Sequence, residues 1–451
     1  MNKLENIQNY YFVGIGGIGM SALARYFNLQ GKKVFGYDKT PSDITRNLMD
    51  EGISIQFEDD ISKLPFVIQD QENTLVVYTP AVPKSNTIIT WFENKKYDIL
   101  KRAQLLGEIS KNSTCLAVAG THGKTTTSAI LGHLLADCNM SVTAFLGGIS
   151  ENYHSNLICK GNELMVVEAD EFDRSFLQLS PDIACITSMD ADHLDIYEDA
   201  SDLVQTFVDF SELLPNKEKL LYKKGLSLAG KSVSATEDAD FQATNIRIEN
   251  GSYVFDLKTP LEEIKKLQFH LPGRHNLFNA VTALGMAILA GTPTNCLPKA
   301  LQSFKGVKRR FTYKIKTKNL VLIDDYAHHP TEIDALFQAV TEMYPEKEKL
   351  IVFQPHLFSR TRDFITGFAK SLSQFNEVIL LDIYPAREEP IDGVSSDWLL
   401  DKITITDKKI VSKKALPQAV KNSRSTVKLM VGAGDIGVEV EKVTNYLEDE
   451  D

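Results

Sequence analysis

Long apolar runs are missing from this 451-residue sequence. No stretch approaches the roughly 20 apolar residues that a membrane-crossing helix needs. The first ten residues, MNKLENIQNY, also lack the apolar core of a secretion signal. We therefore expect a cytosolic protein that does not insert into a membrane.

Cysteine is scarce, and its five positions follow no pattern. The residues are odd in number and far apart, and no two of them form a CxxC pair. This spacing argues against both a disulfide framework and a thiolate zinc site. We expect all five to be reduced residues of the core: Cys115, Cys138, Cys159, Cys185 and Cys296.

An excess of positive charge is absent as well. The 49 Lys and Arg residues are outnumbered by 60 Asp and Glu residues, which gives a formal net charge of −11. A partner such as nucleic acid or an anionic membrane surface requires a basic face. The composition therefore argues against both partners, and any affinity for phosphate must be local.

Short apolar strands alternate with helical patterns along most of the chain. YYFVGI, LMVVEAD, VLIDDYAHH and LIVFQPH are examples of the strands, and HNLFNAVTALGMAILAG indicates a long helix. Such alternation predicts the α/β class, in which helices cover parallel sheets and ligands bind at the carboxyl ends of the strands. At about 150 residues per domain, the length suggests three domains. We expect the boundaries near residues 108 and 312.

The most informative segment is CLAVAGTHGKTTTS, residues 115–128. A strand runs into a glycine turn, which is followed by Lys124 and three threonines. Backbone N–H groups at such a turn cradle phosphate oxygens, the lysine supplies positive charge, and the Thr125 hydroxyl is available to Mg²⁺. The strict pattern GxxxxGK(S/T) has glycine where this chain has Val118, so a glycine turn without a ligand is the alternative. The strand, turn and helix together favour ATP.

A second glycine turn lies near the start of the chain. Gly14, Gly16 and Gly19 fit the pattern GxGxxG, and Asp38 ends the next strand, where a ribose-binding carboxylate is expected. This pattern is typical of dinucleotide dehydrogenases, but it suits any nucleotide diphosphate, and such glycines can also serve packing alone. Because a phosphate loop follows later in the chain, we favour a nucleotide-linked substrate that meets ATP over hydride transfer.

Acidic residues follow the strand LMVV. They are Glu168, Asp170, Glu171 and Asp173, and the first of them are expected at the carboxyl end of a strand next to the phosphate-loop strand. Carboxylate oxygens there suit a Mg²⁺ ion that bridges ATP phosphates, with Thr125 as a further ligand. A solvated acidic loop is the alternative.

The segment ITSMDADHLDIY repeats this layout, with His193 among three aspartates. His193 is a candidate ligand of a second metal ion, although a single histidine is more often a hydrogen-bonded structural residue. Spacing alone does not choose between these roles.

Nine sequence blocks together resemble the Mur ligases. They occur in the family's order and at approximately its spacing, over nearly the whole chain. Within the family, the chain is most similar to the ligases that add L-alanine to UDP-N-acetylmuramate, because the sister ligases that add an intact tripeptide typically lack a stretch like QPHLFSRTRD. The blocks are GIGGIGMSALA, GTHGKTTT, EADEFDRSF, DADHLDIY, PGRHNLFNA, GVKRRF, DDYAHHPTEI, FQPHLFSRTRD and GAGDIG.

The resemblance implies an α/β protein of three domains. Residues 1–108 would form a Rossmann-like domain that binds the UDP-sugar. Residues 109–312 would form a central P-loop ATPase-like domain with a parallel or mixed sheet. Residues 313–451 would form a Rossmann-like C-terminal domain that closes over ATP and the amino acid.

The resemblance also implies roles for particular residues. Gly16, Gly17, Ile18 and Gly19 would face the pyrophosphate of the sugar nucleotide and Asp38 its ribose. The ATP site would comprise Gly120, Thr121, His122, Gly123, Lys124, Thr125 and Thr126, with Asn276 and Asn279 at the adenine and Arg310 and Asp324 reaching ATP from the third domain. Thr125, Glu168 and His193 would ligate Mg²⁺. On the third domain, Tyr326, His328, His356, Arg360 and Arg362 would line the substrate side, with Lys124, His193, His328 and Arg360 taking part in catalysis.

The activity implied is ATP-dependent ligation of L-alanine to the lactyl carboxylate of UDP-N-acetylmuramate through an acyl phosphate, in peptidoglycan precursor synthesis. The expected partners are these two substrates, ATP and Mg²⁺, with the chain as a monomer or homodimer. Three alternatives remain: a ligase that adds a tripeptide to the same sugar nucleotide, an NAD-dependent dehydrogenase, and a nonenzymatic ATP-dependent switch.

Two positions depart from the family's usual pattern. Ser188 stands where asparagine is usual, which puts a substrate-side hydrogen bond in doubt. Leu357 stands where arginine is frequent, which puts a phosphate or substrate contact in doubt.

Overall fold

The computed structural model describes residues 4, 6–190, 197, 199–249, 251–386 and 388–448. The chain divides into two compact units. Unit 1 comprises Met1–Arg247, Val254–Phe269 and Phe278–Lys305, and unit 2 comprises Ile248–Tyr253, His270–Leu277 and Gly306–Asp451. Among the described residues, no helix combines the length and the apolar character required to cross a membrane.

The first sheet lies in unit 1, and its described strands are all parallel, in the order β3-β2-β1-β4-β5. The central strand NYYFV is buried along its whole length because helices cover both faces. The strands are β1 (Asn9–Val13), β2 (Lys33–Tyr37), β3 (Ser54–Gln56), β4 (Thr74–Tyr78) and β5 (Asp98–Lys101), and the helices are α1 (Ile18–Leu29), α2 (Asp43–Asp50), α3 (Thr87–Asn94) and α4 (Arg102–Ser110).

The second sheet has ten strands in the described part of the chain, in the order β15-β14-β13-β12-β11-β10-β6-β9-β7-β8. Strands β10, β6 and β9 are parallel neighbours at its middle, whereas β8 pairs antiparallel with β7. The strands are β6 (Thr114–Ala119), β7 (Val142–Ser150), β8 (Ser155–Cys159), β9 (Leu164–Glu168), β10 (Ile183–Ile186), β11 (Leu220–Lys223), β12 (Lys231–Ser234), β13 (Phe241–Glu249), β14 (Ser252–Lys258) and β15 (Glu263–Phe269). The helices are α5 (Lys124–Asp137), α6 (Ala200–Glu212), α7 (Arg274–Leu289) and α8 (Leu297–Ser303).

The third sheet lies in unit 2 and is parallel except for β16, which pairs antiparallel with β17. The order of its described strands is β16-β17-β21-β18-β19-β20. They are β16 (Thr312–Lys316), β17 (Val321–Asp325), β18 (Lys349–Phe353), β19 (Glu377–Leu380), β20 (Lys408–Ile410) and β21 (Val427–Val431). The helices are α9 (Pro330–Met343), α10 (Phe358–Asp363), α11 (Ile365–Leu372), α12 (Ser396–Lys402), α13 (Leu416–Lys421) and α14 (Ile436–Glu448).

Short 3-10 helices complete the secondary structure of the described residues. They are Ile61–Lys63, Phe66–Gln69, Gln71–Asn73, Phe172–Gln178, Lys217–Lys219 and Lys413–Ala415.

The cysteines do not follow the expectation from the sequence. Cys138 and Cys296 form a disulfide with their Cα atoms 5.7 Å apart, and Cys159 is exposed, so only Cys115 and Cys185 are reduced core residues. The prediction that all five are reduced and buried is wrong. Cys138 directly follows α5 and Cys296 directly precedes α8, and the fold brings these helix ends together across 158 residues of sequence. Spacing along the chain carries no signal of such a contact.

Candidate functional site

The phosphate-loop segment folds as a strand, a glycine turn and a helix. β6 ends at Ala119, and α5 begins at Lys124, directly after Gly123. Gly120 and Gly123 have φ angles of 127° and 85°, a region that side chains rarely adopt. A Cβ atom on Gly123 would also lie 2.6 Å from Oδ1 of Asn279. The turn therefore requires glycine at both positions.

Lys124 is held by a buried carboxylate. Its ammonium lies 2.9 and 2.8 Å from the two carboxylate oxygens of Glu171 and 2.7 Å from the carbonyl oxygen of Gly120. Burial alone would lower the pKa of Lys124, but the nearby carboxylates of Glu171, Asp170 and Glu168 raise it above its ordinary value. The lysine therefore keeps its positive charge at the phosphate loop.

Glu168 ends β9, which lies next to β6, so the predicted neighbourhood of the two strands is confirmed. Its carboxylate accepts hydrogen bonds from the Thr125 hydroxyl at 3.2 Å, the Ser128 hydroxyl at 3.0 Å and the Gly147 N–H at 2.5 Å. Burial raises the pKa of Glu168, although these hydrogen bonds and Lys124 oppose the shift. A cation placed beside the Glu168 carboxylate is therefore stabilised.

The hard oxygens of Glu168 and Thr125 are the donor type that Mg²⁺ prefers. The described residues include no group of three or more His, Cys, Asp or Glu side chains that could hold a metal ion. His193, the candidate second ligand, lies outside the described residues. The two donors fit a Mg²⁺ ion that takes most of its remaining ligands from water and phosphate.

Ser188 supports the phosphate loop. Its hydroxyl accepts a hydrogen bond from the His122 N–H at 2.9 Å and lies 2.8 Å from the Thr121 hydroxyl. Ser188 is buried and follows β10, on the other side of β6 from β9. The residue that replaces the family's usual asparagine therefore contacts the loop itself.

The remaining candidate ATP residues have structural partners. The His122 ring lies 3.6 Å from the Asp190 carboxylate, and Thr126 is buried on the first turn of α5. Asn279 packs over Gly123, because its Oδ1 atom would lie only 2.6 Å from a Cβ atom built on that glycine. Asn276 is buried, and its side-chain amide donates to the carbonyl oxygen of Pro272 at 2.7 Å.

The N-terminal glycine turn is fixed by Asp38. The Asp38 carboxylate accepts hydrogen bonds from the Gly16 N–H at 2.8 Å and from the Thr40 N–H at 3.1 Å. A Cβ on Gly16 would lie 2.8 Å from this carboxylate, so the close approach requires glycine. Asp38 therefore stabilises the turn, and its contact with a ribose stays a prediction.

A cavity of about 320 Å³ joins this turn to the acidic residues of the central sheet. Gly17, Ile18 and Gly19, at the start of α1, line this cavity together with Glu168 and Asp170. Arg102, at the start of α4, also lines the cavity. Two sequence motifs that lie far apart in the chain therefore face one space in unit 1.

In unit 2, the candidate ATP residue Asp324 is paired with Arg309, the neighbour of Arg310 in the sequence. The Arg309 guanidinium lies 3.4 Å from the Asp324 carboxylate. Burial raises the pKa of Asp324 to about 6, and Arg309 only partly opposes the shift. The guanidiniums of Arg309 and Arg310 each lie 5.0 Å from the centre of the Tyr326 ring.

The third-domain histidines form a cluster at the carboxyl ends of β17 and β18. The rings of His328 and His356 are 6.2 Å apart, and an Arg360 nitrogen lies 3.4 Å from Nδ1 of His356. Burial lowers the pKa of His328, with Glu332 opposing the shift and Arg360 adding to it. Arg362 is half-exposed and pairs with Asp363 at 2.7 Å.

Leu357 follows this cluster at the start of α10. It has a φ angle of 70°, and its N–H donates to the carbonyl oxygen of Tyr384 at 2.9 Å. A leucine in this region is strained, which is a frequent feature of functional sites.

Some site residues were not singled out from the sequence. Glu171 was included only as one of four acids after a buried strand, and nothing in that pattern showed which of them would pair with Lys124. Arg309 adjoins the expected Arg310, so the two were distinguishable only by geometry. Arg102 carried no motif at all.

Comparisons with known proteins cover all three sheets. Residues 9–114 match the family described as "Mur ligase family, catalytic domain", residues 118–287 match "Mur ligase middle domain", and residues 309–436 match "Mur ligase, glutamate ligase domain". The UDP-N-acetylmuramate–L-alanine ligase of Christiangramia forsetii is 60% identical over 448 residues, which is 99% of each chain.

Two solved structures share the fold. The UDP-N-acetylmuramate-alanine ligase of Thermotoga maritima superposes with a TM-score of 0.83 at 27% identity, covering 98% of this chain and 100% of the other. A murein peptide ligase of Psychrobacter arcticus has a TM-score of 0.72 at 19% identity and covers 98% of each chain. This second likeness concerns the fold alone.

Proposed function

The chain belongs to the Mur ligase family, and we propose that it joins L-alanine to the lactyl carboxylate of UDP-N-acetylmuramate with ATP as phosphoryl donor. The observation that carries this proposal is the 60% identity, over 99% of both chains, to a ligase named for this reaction. The enzyme is accordingly an acid–amino-acid ligase of peptidoglycan precursor synthesis.

The reaction requires an activated acid. An amine does not displace hydroxide from a carboxylate in water at useful rates, so the lactyl carboxylate first attacks the terminal phosphorus of ATP. ADP leaves, and the product is an acyl phosphate. The alanine amine then attacks the acyl carbon, and inorganic phosphate leaves from the tetrahedral intermediate.

Lys124 is the proposed cation at the transferred phosphate. The raised pKa of Lys124 supports this role, because the ammonium stays charged at neutral pH. Phosphoryl transfer asks a protein mainly for positioning and neutralisation of charge. The turn amides of residues 120–123 and the first residues of α5, Lys124, Thr125 and Thr126, would hold the phosphates, with Asn276 and Asn279 at the adenine.

Mg²⁺ is the proposed metal, held by Thr125 and Glu168 and, for a second ion, by His193. When bound, Mg²⁺ neutralises charge on the phosphate oxygens. In the protein, the Thr125 and Ser128 hydroxyls and the Gly147 N–H orient the Glu168 carboxylate.

The cavity between the N-terminal glycine turn and Glu168 is the proposed site of the sugar nucleotide. Residues 16–19 would face its diphosphate, and Asp38 its ribose. Glu168 lines the same cavity, so an acid bound through this nucleotide can lie beside the phosphate site. This proximity supports transfer of phosphate to the bound substrate.

Unit 2 contributes the remaining residues of the proposal. Arg310 and Asp324 would contact ATP. Tyr326, His328, His356, Arg360 and Arg362 would face the amino acid and the reacting phosphate, with His328 and Arg360 catalytic. The division at residues 108 and 312, closure of residues 313–451 over the substrates, a cytosolic location and a monomeric or homodimeric state remain predictions.

The deciding experiment measures phosphate release from ATP with Mg²⁺ and UDP-N-acetylmuramate, with L-alanine, glycine, L-serine or L-alanyl-γ-D-glutamyl-meso-diaminopimelate added. We expect release with L-alanine and formation of UDP-N-acetylmuramyl-L-alanine, identified by mass spectrometry. Release with the tripeptide alone would instead establish the recycling activity. A change in NAD absorbance without phosphate release would favour a dehydrogenase.

A further inference from the structure

We propose that Arg102 binds the diphosphate of the sugar nucleotide and leaves its ion pair with Asp170 when it does so. The inference deepens the proposed function and rests on it, since it names a residue of the same cavity that neither motif contains.

Arg102 is fixed close to the N-terminal glycine turn. It is the first residue of α4, directly after β5, and so lies at the carboxyl edge of the first sheet. A Cβ built on Gly19 would lie 2.9 Å from Nη1 and 3.1 Å from Cδ of Arg102. The guanidinium therefore packs against the first turn of α1 and occupies the space that a side chain at residue 19 would need.

The ion pair between Arg102 and Asp170 is weak. The Nη2 atom of Arg102 lies 3.6 Å from the Asp170 carboxylate, and the two side chains are 25% and 39% exposed. Ion pairs with this separation and exposure contribute little, because water and salt screen them. An incoming anion can therefore replace Asp170 at small cost.

A diphosphate suits the guanidinium better than the single carboxylate does. It offers several oxygens to the planar fork of Arg, which forms paired charge-assisted hydrogen bonds with phosphates. The first turn of α1 also directs its N–H groups toward the cavity beside Arg102. No side chain caps these groups, because the N-cap residue is Gly17. The lactyl carboxylate is the other anion of this substrate, but it must reach the phosphate loop, whereas Arg102 contacts Gly19.

The test measures ligand affinities of the full chain by isothermal titration calorimetry without ATP or metal. UDP-N-acetylmuramate is titrated directly, and the affinity for UDP is measured by competition with it. Arg102→Met is the main variant, and Arg102→Lys keeps the charge without the fork. Lys101→Met is the matched control, because Lys101 is the neighbouring cation, is exposed and pairs with Asp173 at 3.2 Å. Thermal unfolding of every variant verifies folding.

We expect Arg102→Met to weaken both ligands by the same factor, at least about tenfold. Arg102→Lys is expected to be intermediate, and Lys101→Met to change either affinity less than about twofold. Asp170→Asn is expected to leave both affinities equal or stronger, because it removes the charge that competes for Arg102, whereas asparagine can still accept the Phe172 N–H.

Three results would overturn the inference. Unchanged binding in Arg102→Met would show that the guanidinium does not contact the ligand. Loss for UDP-N-acetylmuramate but not for UDP would assign Arg102 to the carboxylate. Equal loss in Asp170→Asn and Arg102→Met would mean that the pair only shapes the cavity. If the wild-type chain itself bound no UDP-N-acetylmuramate, the proposed function would fail first.

Discussion

The Lys124 ammonium and the Glu171 carboxylate form an ion pair beneath the phosphate loop, with Nζ 2.8 Å from one carboxylate oxygen. The Glu171 side chain has no exposed surface, and that of Lys124 is 16% exposed. A buried charge is stable only with a partner, so each residue depends on the other. Without ATP, Glu171 thus takes the position of the anion that Lys124 is proposed to bind.

Glu171→Gln is expected to destabilise the free protein and to increase its stabilisation by nucleotide. The substitution removes one partner of a buried pair, which costs on the order of 3 kcal/mol. An ATP analogue restores negative charge beside Lys124 and recovers part of that loss. Thermal unfolding with and without a nonhydrolysable ATP analogue measures both effects. Glu108→Gln, at a surface pair with Lys111, is the control; equal melting temperatures for all three proteins would contradict the prediction.

Glu168→Gln is expected to keep the fold and lose metal-dependent turnover. Glutamine can retain hydrogen bonds to Thr125 and Gly147, but it lacks the charge that a divalent cation requires. We expect a fall in kcat on the order of a hundredfold and a higher Mg²⁺ requirement. Steady-state rates over a Mg²⁺ titration test this, with the exposed Asp173→Asn as control. An unchanged Mg²⁺ curve would exclude Glu168 as a ligand.

Ser188→Ala is expected to weaken the phosphate loop. The change removes the acceptor of the His122 N–H and the partner of the Thr121 hydroxyl. A buried donor left without its partner costs about 1–2 kcal/mol. We expect a lower free energy of unfolding in urea and a higher KM for ATP. Ser85→Ala, at an exposed position, is the control, and a KM equal to that of the wild type would refute the role.

Asp324→Asn is expected to change the pH dependence of stability. The pKa of Asp324 is about 6 in the folded protein against an ordinary value of 3.8, so the folded state binds the proton more tightly. Stability from this group is therefore present at low pH and is lost as the pH rises from about 4 to 6. The difference amounts to at most about 3 kcal/mol. The variant should gain stability relative to the wild type over this interval.

The measurement compares urea unfolding of Asp324→Asn and wild type at each pH. The comparison is needed because burial lowers the pKa of His275 to about 4, and its contribution has the opposite sign between pH 4 and 6.5. Asp382→Asn, at an exposed position, is the control. A stability difference that does not vary with pH would contradict the assignment.

The cysteines are expected to give three classes of reactivity in protein that has never been reduced. Cys159 is exposed and should react with a maleimide in the folded state. Cys115 and Cys185 should react only after unfolding, because burial raises the pKa of both thiols to about 12. Cys138 and Cys296 should react only after reduction. Peptide mapping by mass spectrometry checks this; labelling of Cys138 before reduction would contradict it.

The sequence was most informative where strands are buried on both faces. The apolar runs at β1, β6, β9 and β17 predicted strands correctly, and the α/β fold class is confirmed by the sheets and by the related structures. The strands β11–β15 were not predicted, and two of them, β13 and β15, mix buried and exposed residues. In β15, EIKKLQF, only three of the seven positions are buried. Such strands become evident only when a neighbouring strand is known.

The site was predictable only in part, and for a related reason. A glycine turn and an acid after a strand follow from local geometry, so Lys124, Thr125 and Glu168 could be named as candidates. The pairing of Lys124 with Glu171 and of Asp324 with Arg309 depends on side-chain directions across separate elements. The Cys138–Cys296 contact likewise joins two helix ends whose approach is decided by packing of the whole unit.

The parallel neighbours β10, β6 and β9 end side by side, with Glu168 as the last residue of β9 and with the phosphate loop and Ser188 shortly after β6 and β10. Inserting or deleting one residue in any of these strands would turn its terminal side chain to the opposite face of the sheet. The length of these three segments is therefore fixed. A change of substrate specificity in this scaffold can therefore arise by substitution of residues that line the cavity, such as Ile18 and Leu146, but not by a change in the length of these strands.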